Sequence, residues 1–340
     1  MDQFSAHLDR GWEFVQRGDP RGAEASARRA LELDSESPEA FNLLGYAAAL
    51  RGDFEDAIEH YQQAIVLDDC YLEAMLNAAE ILIHPLGDFG AAENMCEDAL
   101  ELAETDDERV DTLLLKFDAL MGQERYTAAR ELCQRFPSPP YDNPAHGFLV
   151  GRALYEVGET KRAIPLIEEA ARLNGDSPDA LYYLALVLDE QGRSDEATRA
   201  FLKSRELDLQ TPPMPWSVST ETFEEVARRA LDSLEPALRQ LVADGQLFVA
   251  EVPGVEVVID GVDPRAAVLV DTVSSEPTEG DQPAEGTQAG SPRARVIVYR
   301  RNLERMVGSL DLIESEVAGV LQRELSALVS SESPESESTH

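Results

Sequence analysis

Small residues recur through the first two thirds of the chain at a spacing close to 34 residues. The recurring positions are Ala23, Ala57, Ala92, Ala129, Ala163 and Ala197, separated by 34, 35, 37, 34 and 34 residues. A small side chain at this period is typical of stacked helical hairpins, because the two helices of a hairpin cross too closely for a larger residue. The sequence therefore predicts a mainly α-helical solenoid here rather than a catalytic core.

Turn and helix-start signals accompany the small residues. Gly-Asp pairs such as Gly52-Asp53 suit a tight turn, since glycine adopts backbone conformations that other residues resist. Pro38, Pro144 and Pro178 suit the first turn of a new helix, where an amide proton is not needed. The proline-rich segment 135–143 predicts an irregular connection between the fourth and fifth hairpins.

Over residues 4–209 the chain resembles the tetratricopeptide repeat (TPR) family. The resemblance implies about six helical hairpins whose first helices line a concave groove for a peptide or a protein segment. One subgroup grips a carboxylate with lysine, asparagine and arginine, but the first helices of the first three units contain no lysine. Groove candidates are Asn42, Tyr46, Asn77, Tyr182 and Tyr183, although packing in the core would explain such aromatic residues equally well.

The formal charge of −37 and the pI of about 4.3 narrow the choice of partner. Nucleic acid and anionic membranes are not expected, because binding to phosphate requires clustered cations. The acidity either serves solubility or favours a basic protein partner. The acidic N-terminus does not resemble a signal peptide, so we expect a cytoplasmic protein. Three cysteines without paired spacing predict neither a disulfide nor a metal site.

A proline-rich linker at 210–218 separates the repeats from a predicted small α+β domain at 219–330. We expect a first helix, β-rich runs at 246–251, 254–260 and 266–271, a strand at 295–300, and helices at 302–307 and 310–329. An acidic segment at 274–292 and the tail at 331–340 lack the large apolar residues that ordering requires, so both are predicted to be disordered.

The α+β region resembles a small bacterial zincin-type metallopeptidase. The resemblance is carried by FEEVARRALDSL at 223–234 and VIVYRRNLER at 296–305. It implies a zinc-binding His-Glu-x-x-His motif on the last helix, where this chain has Arg323, Glu324 and Ala327 in register. Arginine has no lone pair for zinc, and alanine has no ligand atom. The sequence therefore predicts a degenerate domain with no metal, no cofactor and no catalytic residues.

Glu324 raises a separate question, because the helical spacing places it among apolar residues. One hypothesis is a buried carboxylate compensated by Arg323, Arg300 or Arg301, since an unpaired buried charge is costly. The alternative is a partly exposed glutamate.

Together these features predict a non-enzymatic TPR scaffold or adaptor with a pseudo-metallopeptidase domain. Alternatives are a chaperone or assembly factor for a dedicated client, and an active metallopeptidase with atypical ligands. Whether the acidic segment 274–292 is autoinhibitory stays open.

Overall fold

The computed structural model of the chain describes residues 2–273 and 293–331. The chain divides into two compact units, Met1–Gly175 and Asp176–His340. The predicted disordered segments, 274–292 and 331–340, lie outside the described residues, except that Ser331 ends the last helix. In the described part of the chain, no helix combines the length and the apolar character needed to cross a membrane.

The first unit contains five consecutive helical hairpins, and the first helices of neighbouring hairpins contact each other. The hairpins are α1 (Gln3–Gln16) with α2 (Pro20–Leu33), α3 (Pro38–Arg51) with α4 (Phe54–Leu67), α5 (Leu72–Ile83) with α6 (Phe89–Leu102), α7 (Asp106–Gly122) with α8 (Tyr126–Leu132), and α9 (Pro144–Glu156) with α10 (Thr160–Leu173). Pro38 and Pro144 each occupy the first turn of a helix, as predicted.

Close packing within the hairpins confirms that the small residues lie where two helices cross. The five recurring alanines of this unit are all fully buried on second helices. Gly45 on α3 faces the ring of Tyr61 on α4, and a Cβ atom at Gly45 would lie only 2.5 Å from Cε1 of that ring. Gly52, in the turn between these helices, has a φ of +83°, a conformation that favours glycine. The 34-residue spacing thus reports direct helix–helix contact.

The fourth hairpin departs from the others. Its second helix, α8, has 7 residues, whereas α2, α4, α6 and α10 each have 14. The chain after Leu132 forms turns and an irregular segment until α9 begins at Pro144. This confirms the irregular connection predicted at 135–143.

The second unit begins with one more hairpin and continues into the α+β region. Its elements are α11 (Pro178–Glu190), α12 (Ser194–Gln210), α13 (Thr220–Ser233), α14 (Pro236–Arg239), β1 (Val242–Ala250), α15 (Val255–Ile259), β2 (Val268–Val273), β3 (Arg293–Tyr299), α16 (Arg300–Met306) and α17 (Leu310–Ser331). The boundary between the units thus falls before the sixth hairpin rather than at the linker 210–218. The predicted domain limits stay a prediction.

The three strands form one sheet in the order β1-β3-β2, with β1 parallel and β2 antiparallel to β3. The strand predicted at 254–260 is wrong, because this segment contains the short helix α15. The three-stranded sheet formed by the described residues does not include this segment. Its β-branched residues therefore do not decide the local structure.

The core of this unit lies where α13 and α17 pack against the sheet. Ile313, Val317, Leu321 and Leu325 are the buried residues at four-residue steps on α17. Glu324 is exposed, so the buried-carboxylate hypothesis is wrong and the alternative is confirmed. The helical spacing alone was compatible with either Glu324 or Leu325 on the apolar face of α17. In the structure, Leu325 packs against α13 and the sheet, and Glu324 faces outward.

Candidate functional site

A cavity of about 300 Å³ opens between the first helices α5, α7 and α9 of the first unit. Leu76, Leu114, Leu115 and Leu149 provide its apolar wall. Its polar lining is Asn77, Glu80, Asp111, Asp118 and Arg152. We call this surface, with Asp118 at its centre, the groove. It combines apolar contact area with three carboxylates and one guanidinium.

A second cavity, of about 430 Å³, shares Asp118 and Arg152 with the first. Asp118 and Arg152 are 34 residues apart, and each lies four residues before the end of its helix, so they occupy the same position in the fourth and fifth hairpins. The same spacing relates Leu115 to Leu149. Sequence reasoning missed these residues because it followed the period only through the small and aromatic positions. Applying the 34-residue step to charged residues would have found them.

Charge in the groove is not fully balanced. An Arg152 guanidinium nitrogen lies 3.5 Å from Asp118 Oδ1, and Arg152 Nε lies 3.7 Å from Glu156 Oε1. That Nε atom is buried and has no hydrogen-bond acceptor within the part of the chain that the structure describes. Burial raises the pKa of the Asp118 carboxyl above its ordinary value, although Arg152 and His84 oppose the shift. The groove is therefore a partly desolvated site with excess negative charge.

Of the predicted groove residues in the first unit, only Asn77 lines this cavity. Asn42 is fully buried, and its side-chain amide donates to Tyr71 Oη and to Glu73 Oε1, both at 3.2 Å. Asn77 in turn donates to Asn42 Oδ1 at 3.0 Å. Tyr46 packs edge-on against Trp12, with ring centroids 5.5 Å apart. Asn42 thus connects neighbouring repeats from the interior rather than presenting its amide to a partner.

Tyr182 and Tyr183 lie on α11 in the second unit. Tyr182 donates to Asp263 Oδ2 at 2.7 Å, and the Arg265 guanidinium lies 4.4 Å from the centroid of its ring. The rings of Tyr182 and Tyr183 meet edge-on at 5.7 Å. The segment containing Asp263 and Arg265 therefore covers the hydroxyl and one face of Tyr182.

An ionic cluster joins the sixth hairpin to the α+β region within the same unit. Asp208, near the end of α12, is buried and lies within 3.3 Å of two guanidinium groups, those of Arg265 and Arg305. Arg301 donates to the main-chain oxygens of Asp208, Leu209 and Thr211. These bonds satisfy carbonyl groups that a helix leaves unpaired at its C-terminus.

Arg300 and Arg301 also hold Glu251. Arg300 contacts both carboxylate oxygens of Glu251, at 2.7 and 2.8 Å, and Arg301 Nε lies 3.2 Å from Oε2. Burial acts to raise the pKa of Glu251, but the two arginines outweigh it and the pKa lies below its ordinary value. Arg300 further pairs with the buried Glu304 at 3.2 Å. The segment RRNLER is thus occupied in packing contacts, not in compensating Glu324.

The positions that would carry zinc in a zincin do not suit a metal. Arg323, Glu324 and Ala327 all lie exposed on α17. Only Glu324 offers a ligand atom, and its helix provides no histidine. Among the described residues, three metal-type ligand atoms come together at Asp68, Asp69 and Cys70, an exposed group in the turn before α5. A zinc-dependent step therefore has no support from this donor set.

A family model described as tetratricopeptide repeat matches residues 8–69 and 149–208. These two segments are similar to tetratricopeptide repeats. Human tetratricopeptide repeat protein 7B is 27% identical over 92 residues, which are 27% of this chain and 11% of that protein. The match thus spans about a ninth of the curated relative, and the TPR resemblance predicted for the chain is confirmed at this level. The zincin resemblance of 219–330 stays a prediction.

Two solved structures share the fold over 60% of this chain. PilF from Pseudomonas aeruginosa has a TM-score of 0.53 at 18% identity, covering 60% of this chain and 91% of that one. PilW, a type IV pilus biogenesis factor, has a TM-score of 0.51 at 17% identity, covering 60% and 92%. At these identities the likeness concerns the fold.

Proposed function

We propose that this TPR protein is a non-enzymatic adaptor that holds a basic, partly apolar segment of a partner protein in the groove between α5, α7 and α9. The observation that carries the proposal is the composition of the two adjoining cavities. Leucine side chains offer apolar contact, while Glu80, Asp111, Asp118 and Glu156 outnumber Arg152. A lysine or arginine between apolar residues would satisfy both features.

The donor and acceptor groups refine this proposal. Asp118 is partly desolvated, so a partner cation placed beside it would gain more than it would at an open surface. Arg152 Nε needs an acceptor, which a main-chain carbonyl of an extended partner segment would supply. The occupant we propose is therefore an extended peptide rather than a folded surface.

The experiment measures binding of fluorescent peptides that alternate leucine with lysine, compared with peptides that alternate leucine with glutamate. The lysine peptides should bind the full chain and the glutamate peptides should not. Asp118→Asn should weaken binding about tenfold, as expected when one partly buried charge pair of about 1.4 kcal/mol is lost. Asp56→Asn, on the exposed side of α4, removes the same charge outside the groove and should have no effect. Equal affinity for both peptide types would contradict the proposal.

The full chain is needed for this test. A fragment ending at residue 210 would separate Asp208 from Arg265 and Arg305 and would uncover Tyr182. Loss of binding in such a fragment would report damage to the sixth hairpin. Point substitutions in the groove avoid this ambiguity.

A second candidate is a chaperone or assembly factor for a dedicated client. It is favoured by the fold shared with PilW, which is described as a pilus biogenesis factor. An adaptor should remain in the mature complex with its partner, whereas an assembly factor should leave once the complex forms. Pulse-labelling followed by size-exclusion chromatography separates the two, because only the adaptor would co-elute with the labelled partner after the chase.

We further propose that residues 4–209 act as the repeat region and that 219–330 is a zincin-like domain whose metal site has been lost. The order of α13, three strands, α16 and the long α17 supports this relationship, and Arg323 and Ala327 support the loss. A cytoplasmic location is part of the same proposal. One zinc per purified chain, together with cleavage of a peptide substrate, would instead favour an active metallopeptidase with atypical ligands.

A further inference from the structure

A cavity lies beside the short helix α8, in space that a longer second helix would fill. The remaining second helices of this unit are twice as long, so about two turns of helix are missing after Leu132. The irregular segment 136–141 covers part of that space. Between this segment, α9 and α10 a cavity of about 410 Å³ remains.

The walls of this cavity are mostly apolar. Phe136, Val150 and Leu154 are buried and form its floor, and Pro139 closes the side of the irregular segment. Tyr141 also lines the cavity, but its hydroxyl donates to the carbonyl oxygen of Pro137 at 2.9 Å and is thereby occupied. A volume of this size with an apolar lining is typical of pockets for small molecules.

One face of α10 forms the remaining wall. Arg162, Pro165, Leu166 and Glu169 lie on this face at helical spacings of three and four. Pro165 lies within the helix, where a proline removes a main-chain hydrogen bond and is normally avoided. A residue that disfavours its own helix, such as Pro165, is expected mainly where the surface has a function.

The two charged groups at the rim are not equivalent. Both carboxylate oxygens of Glu169 are bound by Arg172, at 2.6 and 2.7 Å, so this negative charge is already paired. Within the described part of the chain, Arg162 donates only to neutral oxygens, Gln134 Oε1 and the Cys133 carbonyl oxygen, each at 3.2 Å. No carboxylate in the described residues forms an ion pair with Arg162, and three of its five donors remain for a ligand. The rim therefore carries one uncompensated positive charge.

We propose that this cavity binds a small organic monocarboxylate. An aromatic or aliphatic body fills the apolar walls, and its carboxylate pairs with Arg162. An apolar body alone would leave the guanidinium without a partner, and a cation would be repelled by it. This site is separate from the groove, since none of its lining residues contributes to the groove.

The test is isothermal titration calorimetry of the full chain with phenylbutyrate. Phenylbutanol supplies the same body without the charge, and acetate supplies the charge without the body. We expect phenylbutyrate to bind about tenfold more tightly than phenylbutanol, which corresponds to one charge-assisted contact. Acetate should give no measurable binding. Equal affinities for the acid and the alcohol, or no binding of phenylbutyrate, would overturn the proposal.

Variants locate the ligand. Arg162→Gln should reduce the affinity for phenylbutyrate to that for phenylbutanol, while Lys161→Gln, an equal charge change on the neighbouring residue, should have no effect. Pro165→Phe should block the cavity and abolish binding, and it restores a helix donor, so it should fold. Circular dichroism checks folding, and Asp118→Asn should leave this binding unchanged. Unaltered binding by Arg162→Gln or by Pro165→Phe would refute the assignment.

A last arm separates the free acid from a chain terminus that carries the same groups. The peptide Gly-Gly-Phe is titrated with a free carboxylate and as its amide. The free-acid proposal expects the peptide acid to bind no more tightly than phenylbutyrate. An affinity more than about tenfold higher for the peptide would identify a protein C-terminus as the ligand and overturn the proposal.

Discussion

Replacing Gly45 and Gly147 by alanine should change stability in opposite directions, although both glycines lie on first helices of the first unit. At Gly45 an added Cβ would lie 2.5, 2.6 and 2.9 Å from three ring atoms of Tyr61, which is itself buried. At Gly147 no neighbouring heavy atom of the described residues lies within 4 Å of the added Cβ. The first change therefore overfills a packed contact, and the second fills open space.

The magnitude follows from two terms. Alanine stabilises a helix interior by about 1 kcal/mol relative to glycine, and this gain is common to both sites. Overpacking of a close contact costs about 1–3 kcal/mol, and we expect the upper part of this range for three contacts with one ring. Gly147→Ala should therefore raise the free energy of unfolding by about 1 kcal/mol, and Gly45→Ala should lower it by about 1–2 kcal/mol.

Urea denaturation followed by circular dichroism measures both effects on the full chain. Because the two residues belong to the same unit, the same transition reports both. The difference between the variants cancels the propensity term and isolates the clash with Tyr61. If both variants shift the midpoint in the same direction, the 34-residue period does not report close helix contact, and the reasoning fails.

Three further changes test the site and the second unit. Asp208→Asn should lower the free energy of unfolding by about 3 kcal/mol, because it leaves the guanidinium groups of Arg265 and Arg305 facing an amide in a buried setting; unchanged urea curves would contradict the cluster. Affinity for the leucine–lysine peptide should fall as the pH is lowered, because the charge of Asp118 is needed for binding. Since its pKa is raised, the loss should begin above the ordinary carboxyl value of 3.8; a flat profile down to that value would exclude a role for this carboxylate. Glu324→Gln should leave the melting temperature unchanged, as for other exposed substitutions, and destabilisation beyond about 1 kcal/mol would show a buried pair.

The repeat architecture was predictable from sequence because its signals are local and redundant. A small residue at Ala57, a glycine at Gly45 and a turn at Gly52-Asp53 each restrict the backbone independently, and the spacing repeats them. The irregular segment after Leu132 was predictable for the same reason, since consecutive prolines cannot continue a helix. Such local features can be predicted without knowing which residues are in tertiary contact.

The candidate sites depend on tertiary contacts, which cannot be predicted from the type and position of a single residue. Asn42 has a groove-like position in its repeat, yet its amide is buried against Tyr71 and Glu73. Tyr182 is likewise covered by residues about 80 positions further along the chain. The charged lining of the groove depends on the packing of α7 against α9, which places Asp118 beside Arg152. Sequence patterns therefore predicted the helices beside these cavities but not the side chains that line them.

The arginine side chains at the end of α12 lie where another hairpin would have to begin. A further hairpin would need the carbonyl end of α12 and the space beside Asp208, and Arg301 and Arg305 already occupy both. The segment RRNLER thus covers the end of this hairpin, in the way that terminal units cover the ends of repeat arrays. A chain extended by another hairpin after α12 would have to give up these arginine contacts.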